Sequence, residues 1–86
     1  MKVNKFSEYL YLIRNQQSLT ILDLAQKSYL SCSAIMQFER GIRLPSPEAI
    51  DRLARALNID RYILDQLALE SRGSIHCELL NKRSKR

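Results

Sequence analysis

Apolar side chains recur along this chain at helical spacing, and no stretch alternates apolar with polar residues as a strand would. Phe6, Leu10 and Ile13 stand at i, i+4 and i+7, which predicts a first helix from about Lys5 to Gln17 with one buried stripe. A second helix is expected after Thr20. Its hydroxyl can accept from a free backbone N–H while Asp23, three residues on, reaches back to the cap in a weak capping box. Leu24 and Ala25 face inward there, and Ser28 closes the helix. Ser31 is the next N-cap, opening a short third helix to about Arg40 with Ile35 and Phe38 on its core side; Gly41 then supplies a left-handed terminator. Ser46-Pro47-Glu48 is a strong start signal, a cap followed by a proline whose missing N–H costs nothing at the first helical position and an acid near the positive end of the dipole. Ile50, Leu53, Ala54 and Leu57 make the apolar face of this fourth helix, with Asn58 as a left-handed cap. Asp60 opens a fifth, burying Ile63, Leu64 and Leu67 and ending before Gly73; residues 74–81 add a turn or two, and the last residues are expected to fray. The fold class predicted is all-α.

Eighty-six residues suffice for one small domain. The longest apolar stretches, such as Tyr9 to Ile13, fall far short of the roughly 18 residues of a membrane span. The first residues carry Glu8 where a signal peptide would begin its apolar core, so a cytoplasmic location without membrane contact is expected. Fourteen Lys and Arg against nine Asp and Glu give a net charge of +5, which points toward a polyanionic partner. Lys82, Arg83, Lys85 and Arg86 supply four of the fourteen, leaving ten basic against nine acidic side chains in residues 1–81. The basicity is therefore mostly a tail, which either touches phosphates or is simply solvated. Cys32 and Cys77 lie far apart without zinc-type clustering and read as free thiols. With one histidine, His76, no Gly-rich phosphate loop and no nucleophile-base pattern, neither an enzyme nor a cofactor or metal site is expected.

Five short helices, the second and third joined by only Tyr29 and Leu30, fit a helix-turn-helix or any small bundle on spacing alone. The run from Leu24 to Gly41 is more specific. It places Leu24-Ala25, then Ser28, then Ile35, Phe38, Glu39 and Gly41 in an I-x-x-Φ-E-x-G pattern that resembles the Cro/phage-repressor (XRE) helix-turn-helix family. The resemblance extends through Ile42-Arg43-Leu44-Pro45-Ser46 and through Leu53-Ala54-Arg55-Ala56-Leu57-Asn58-Ile59, and covers about residues 6–69.

That resemblance implies a five-helix, lambda-repressor-like DNA-binding domain over residues 1–73; beyond it, the apolar Ile75, Leu79 and Leu80, with Tyr62 and Leu69, predict a short C-terminal extension at 74–81 that either forms a dimer contact or folds back on the first helix, and residues 82–86 form a basic tail. The resemblance implies a sequence-specific transcriptional repressor, a homodimer on a two-fold operator in double-stranded DNA, with the third helix in the major groove. By position, Ser31, Cys32, Ser33 and Gln37 face bases or phosphates, and Met36 would lie against a thymine methyl. Gln37 is the prime reader, because an amide can pair with adenine through a donor and an acceptor at once. Arg40 and Arg43 flank the loop after that helix, where family members touch the sugar-phosphate backbone. Arg14 and Glu39 match positions that pair across the first and third helices. Two positions depart from the family pattern. Ile21 stands where a glutamine most often binds phosphate, and Tyr29 stands where a glycine usually takes positive φ, so Tyr29 either accepts strain or bends the turn differently. Ile21, Leu22, Tyr11, Ile42 and Leu44 form an apolar set expected at the surface, which keeps open a second reading as a protein-binding adaptor, antitoxin or antirepressor with a protein partner.

Overall fold

The computed structural model describes residues 4–71, and these are helical throughout apart from short connections. The helices are α1 (Lys5–Gln16), α2 (Ile21–Ser28), α3 (Cys32–Glu39) and α4 (Pro47–Leu57), followed by α5 over residues 61–71. The expected five-helix, all-α architecture is the one observed. The expected extension at 74–81 and the basic tail at 82–86 lie outside the described residues.

Each of the first four helices begins on a side-chain cap. Thr20, Ser31 and Ser46 accept from the backbone N–H of Asp23, Ala34 and Ala49, and Asn4 accepts from Ser7 in a reciprocal capping box. Each also ends the same way. Ser18, Tyr29, Gly41 and Asn58 take φ of 59°, 59°, 74° and 57°. The next residue's N–H then returns to a carbonyl five positions back, Leu19 to Arg14, Leu30 to Ala25, Ile42 to Gln37 and Ile59 to Ala54, at 3.0–3.1 Å. Only one of the four is glycine. Tyr29 therefore resolves its departure by accepting the left-handed conformation, at a cost of roughly 1–2 kcal/mol for a residue with a Cβ, and the residue is 83% exposed.

The core is one cluster drawn from all five helices, centred on Phe6, Leu10, Leu24, Ile35, Phe38, Leu53, Leu57 and Leu64. Phe6 and Phe38 meet edge to face with centroids 6.5 Å apart. Helix α2 packs on both α3 and α4, and α1 backs α3. Helix α5 departs from the expected register: Leu64, Ala68 and Ser71 are buried, Leu67 is half-buried, and Ile63 is 40% exposed. After Leu64 the inner stripe continues with the small residues Ala68 and Ser71, and the end of α5 lies against the start of α1, where the Ser71 hydroxyl accepts the otherwise orphaned N–H of Phe6 at 3.0 Å. Of the expected surface apolar set, Tyr11, Leu22 and Ile42 are exposed, whereas Ile21 and Leu44 are half-buried against the core. Among the described residues, no helix is long and apolar enough to cross a membrane.

Candidate nucleic-acid interface

Helix α3 has two faces with different chemistry. Ala34, Ile35 and Phe38 turn inward, as does the carboxylate of Glu39. Behind the helix, Arg14 Nε and Nη2 donate to Glu39 Oε2 and Oε1 at 2.6 and 3.0 Å, with side chains only 9% and 7% exposed. Arg14 Nη1 also donates to the Leu19 carbonyl at 2.7 Å. One guanidinium thus ties α1, the connection to α2 and the end of α3 into a unit. The bidentate hydrogen bonds to Glu39 raise the Arg14 pKa above its ordinary value, outweighing the opposing effect of burial.

The outer face carries a row of polar side chains. Ser33 is exposed, and its hydroxyl oxygen lies 3.5 Å from Gln37 Nε2, one helical turn on. Across the Gly41 turn, Arg43 Nη1 donates to Gln37 Oε1 at 3.3 Å. The Arg43 guanidinium also lies over the Phe38 ring, 5.6 Å from its centroid. The structure therefore brings Ser33, Gln37 and Arg43 together. Ser31 is exposed at the head of the helix, but its hydroxyl already accepts from Ala34 as the N-cap at 3.0 Å. Cys32 is half-buried against the core cluster as a free thiol, and Met36 is half-buried on the flank. Arg40 is exposed at the C-cap of α3 and shares no hydrogen bond with the row.

Arg52 has a role that the sequence pattern did not reveal. From α4 it donates to the Tyr29 carbonyl at 3.1 Å and pairs with Glu48 at 2.8 Å, bracing the strained turn before α3. Only the Glu48–Arg52 i, i+4 spacing was visible along the chain. A groove of about 570 Å³ lies beside this brace, bordered by Tyr29, Lys27 and α4. Its charges are largely paired within the chain, Arg52 with Glu48 and Arg55 with Asp51. Among the described residues no group of His, Cys, Asp or Glu could hold a metal ion.

A short helix held from behind by an ion pair, preceded by a tight turn and presenting an ordered polar row to solvent, defines a helix-turn-helix DNA-binding module. The sequence model of the helix-turn-helix family matches residues 10–64, and the chain belongs to that family, of the XRE type. Members of the family are DNA-binding transcription regulators, and this chain is one of them. Among solved structures it is similar to the restriction-modification controller protein C.AhdI from Aeromonas hydrophila, at 37% identity and a TM-score of 0.67 over 70% of this chain and 91% of that one. The restriction-modification controller protein C.Esp1396I shares the fold at 24% identity and a TM-score of 0.66, over 79% of this chain and 88% of that one. No curated protein sequence matches.

Proposed function

We propose that this chain represses transcription by occupying a two-fold operator as a homodimer, with α3 in the major groove. The observation that carries the reading is the ordered row Ser33–Gln37–Arg43 on the outer face of a helix anchored from behind by Arg14 and Glu39. In this reading Gln37 reads an adenine edge, Ser31 and Ser33 meet bases or phosphates at the head of the helix, and Cys32 and Met36 line its flank. Arg40 and Arg43 lie along the sugar-phosphate backbone. The similarity to C.AhdI supports a controller role, acting on promoter DNA beside the chain's own gene. The regulator works in the cytoplasm without catalytic chemistry or a cofactor. Residues 1–73 form the DNA-binding domain. The exposed side chains Tyr62 and Leu69 on α5, together with residues 74–81, form the dimer contact, and the basic tail at 82–86 adds attraction to phosphate.

Binding to duplexes from the flanks of its own gene, measured as a function of salt, tests this. The expected result is tight binding to one such duplex with a linear fall of log affinity against log salt, and weak binding to scrambled sequence. Exposed Tyr11, Leu22 and Ile42 favour the second reading, a protein-binding adaptor on the same fold. A chain that stays monomeric in sedimentation at tens of micromolar and discriminates no DNA sequence would support the adaptor and sink the repressor.

A further inference from the structure

The amide of Gln37 has two N–H donors and a carbonyl oxygen with two acceptor directions. In the free protein one donor faces the Ser33 hydroxyl and one acceptor direction takes the Arg43 guanidinium. One donor and one acceptor remain. Adenine presents one acceptor and one donor in the major groove, N7 and the N6 amino group, whereas guanine presents two acceptors, N7 and O6. An amide free to turn over can aim both N–H groups at the two guanine acceptors; one whose oxygen is held by Arg43 keeps an acceptor beside its remaining N–H, which matches adenine but sets acceptor against acceptor at guanine.

Arg43 is itself placed twice. Its guanidinium lies over the buried Phe38 ring, and the turn that carries it is closed by the Ile42 N–H donating to the Gln37 carbonyl at 3.0 Å. Gln37 and Arg43 are thus fixed relative to each other through main chain and side chain together. Both side chains border solvent, so this link adds little to stability. Its effect is to set the orientation of a side chain with three rotatable bonds before DNA arrives.

We propose that Arg43 is a positioning residue for base readout, holding the Gln37 amide in the orientation that accepts adenine and rejects guanine. The inference rests on the reading of α3 as the recognition helix and extends the role of Arg43 beyond the phosphate backbone.

The test uses a duplex selected by the wild-type protein from a randomised DNA library, and the same duplex with adenine replaced by guanine at the pair that Gln37→Ala relaxes. Arg43→Ala is expected to lower adenine-over-guanine discrimination at that pair about three- to tenfold with an unchanged melting temperature, and to lower it no further in a Gln37→Ala background. Arg43→Lys should recover overall affinity but not the discrimination, because an ammonium cannot lie flat on Phe38 and reach the amide at once. Unchanged discrimination in Arg43→Ala, or relaxation at a neighbouring pair instead, would overturn the proposal while leaving the recognition-helix reading in place. Failure of the wild type to select any sequence would overturn that reading. The side-chain amide resonances of Gln37 in isotope-labelled free protein give a check that needs no DNA: Arg43→Ala should shift them, and unmoved resonances would overturn the positioning role alone.

Discussion

The two faces of α3 carry polar side chains in opposite physical regimes. Behind the helix, Arg14 and Glu39 are almost fully withdrawn from water and satisfied by bidentate hydrogen bonds and the Leu19 carbonyl. In front, Ser33, Gln37 and Arg43 touch through longer bonds in contact with solvent. Buried charges must be matched or they cost several kcal/mol, so the rear pair fixes where the helix sits. The front row gains little from its internal bonds, because water competes for every one of them. It can therefore exchange them for contacts to a base at small cost. Stability and, in the reading proposed above, recognition thus fall to side chains that stand two residues apart, Glu39 and Gln37, on one short helix.

Breaking the rear pair is the largest perturbation. Glu39→Ala strands the Arg14 guanidinium in the protein interior and should destabilise the fold by about 3–5 kcal/mol, read as a fall in the denaturation midpoint. Replacing both partners, as Arg14→Met with Glu39→Leu, should recover most of that loss; a double variant as unstable as the single one would show that the pair is not the source of the penalty. Gln37→Ala should do the reverse, leaving the melting temperature unchanged while weakening binding to a selected duplex by about 1–3 kcal/mol and relaxing preference at one base pair. If Gln37→Ala lowered stability instead, the distinction between the two faces would fail.

The legibility of these features follows the range of the interactions. The caps Thr20, Ser31 and Ser46 were readable because their partners lie three residues away. Gly41 and Asn58 were readable as terminators because those residue types favour positive φ. Ser18 was missed because serine carries no such preference. The α5 stripe was misread at Ile63 because large apolar residues were favoured as core, while the inner stripe runs through the small Ala68 and Ser71. The candidate base-reading residues came from family resemblance, since along the sequence Gln37 looks like any solvated glutamine. Its link to Arg43 crosses the Gly41 turn over a gap of six residues, which no helical periodicity marks. The Arg52 brace on Tyr29 spans 23 residues and is visible only in three dimensions.

The strained turn between α2 and α3 offers a smaller perturbation. Tyr29→Gly removes the Cβ penalty of the left-handed conformation but loosens the unfolded chain, so a net stabilisation of up to about 1 kcal/mol is expected from denaturant titration. Destabilisation would mean that the Tyr29 ring contributes packing that its exposure does not reveal.

The smallest effect concerns pH. The Asp23 pKa lies below the usual carboxylate range, chiefly because the Thr20 backbone N–H donates to the carboxylate, then because of the Thr20 hydroxyl, with a lesser contribution from Lys27. A depressed folded-state value means that the stabilisation is fully present above the unfolded value of about 3.8 and is lost as pH falls through the folded value. Asp23→Asn should therefore flatten the acid limb of stability against pH below about 4, and an unchanged limb would assign that limb to other carboxylates.

The most direct test of the two-faced helix is a backbone amide map of the isotope-labelled protein titrated with its selected duplex. The account predicts the largest shifts from Ser31 to Arg43 on the outer face of α3 and its following turn, with small shifts in the middle of α1 and along α4. Shifts concentrated on α4 and α5, with α3 unmoved, would contradict it.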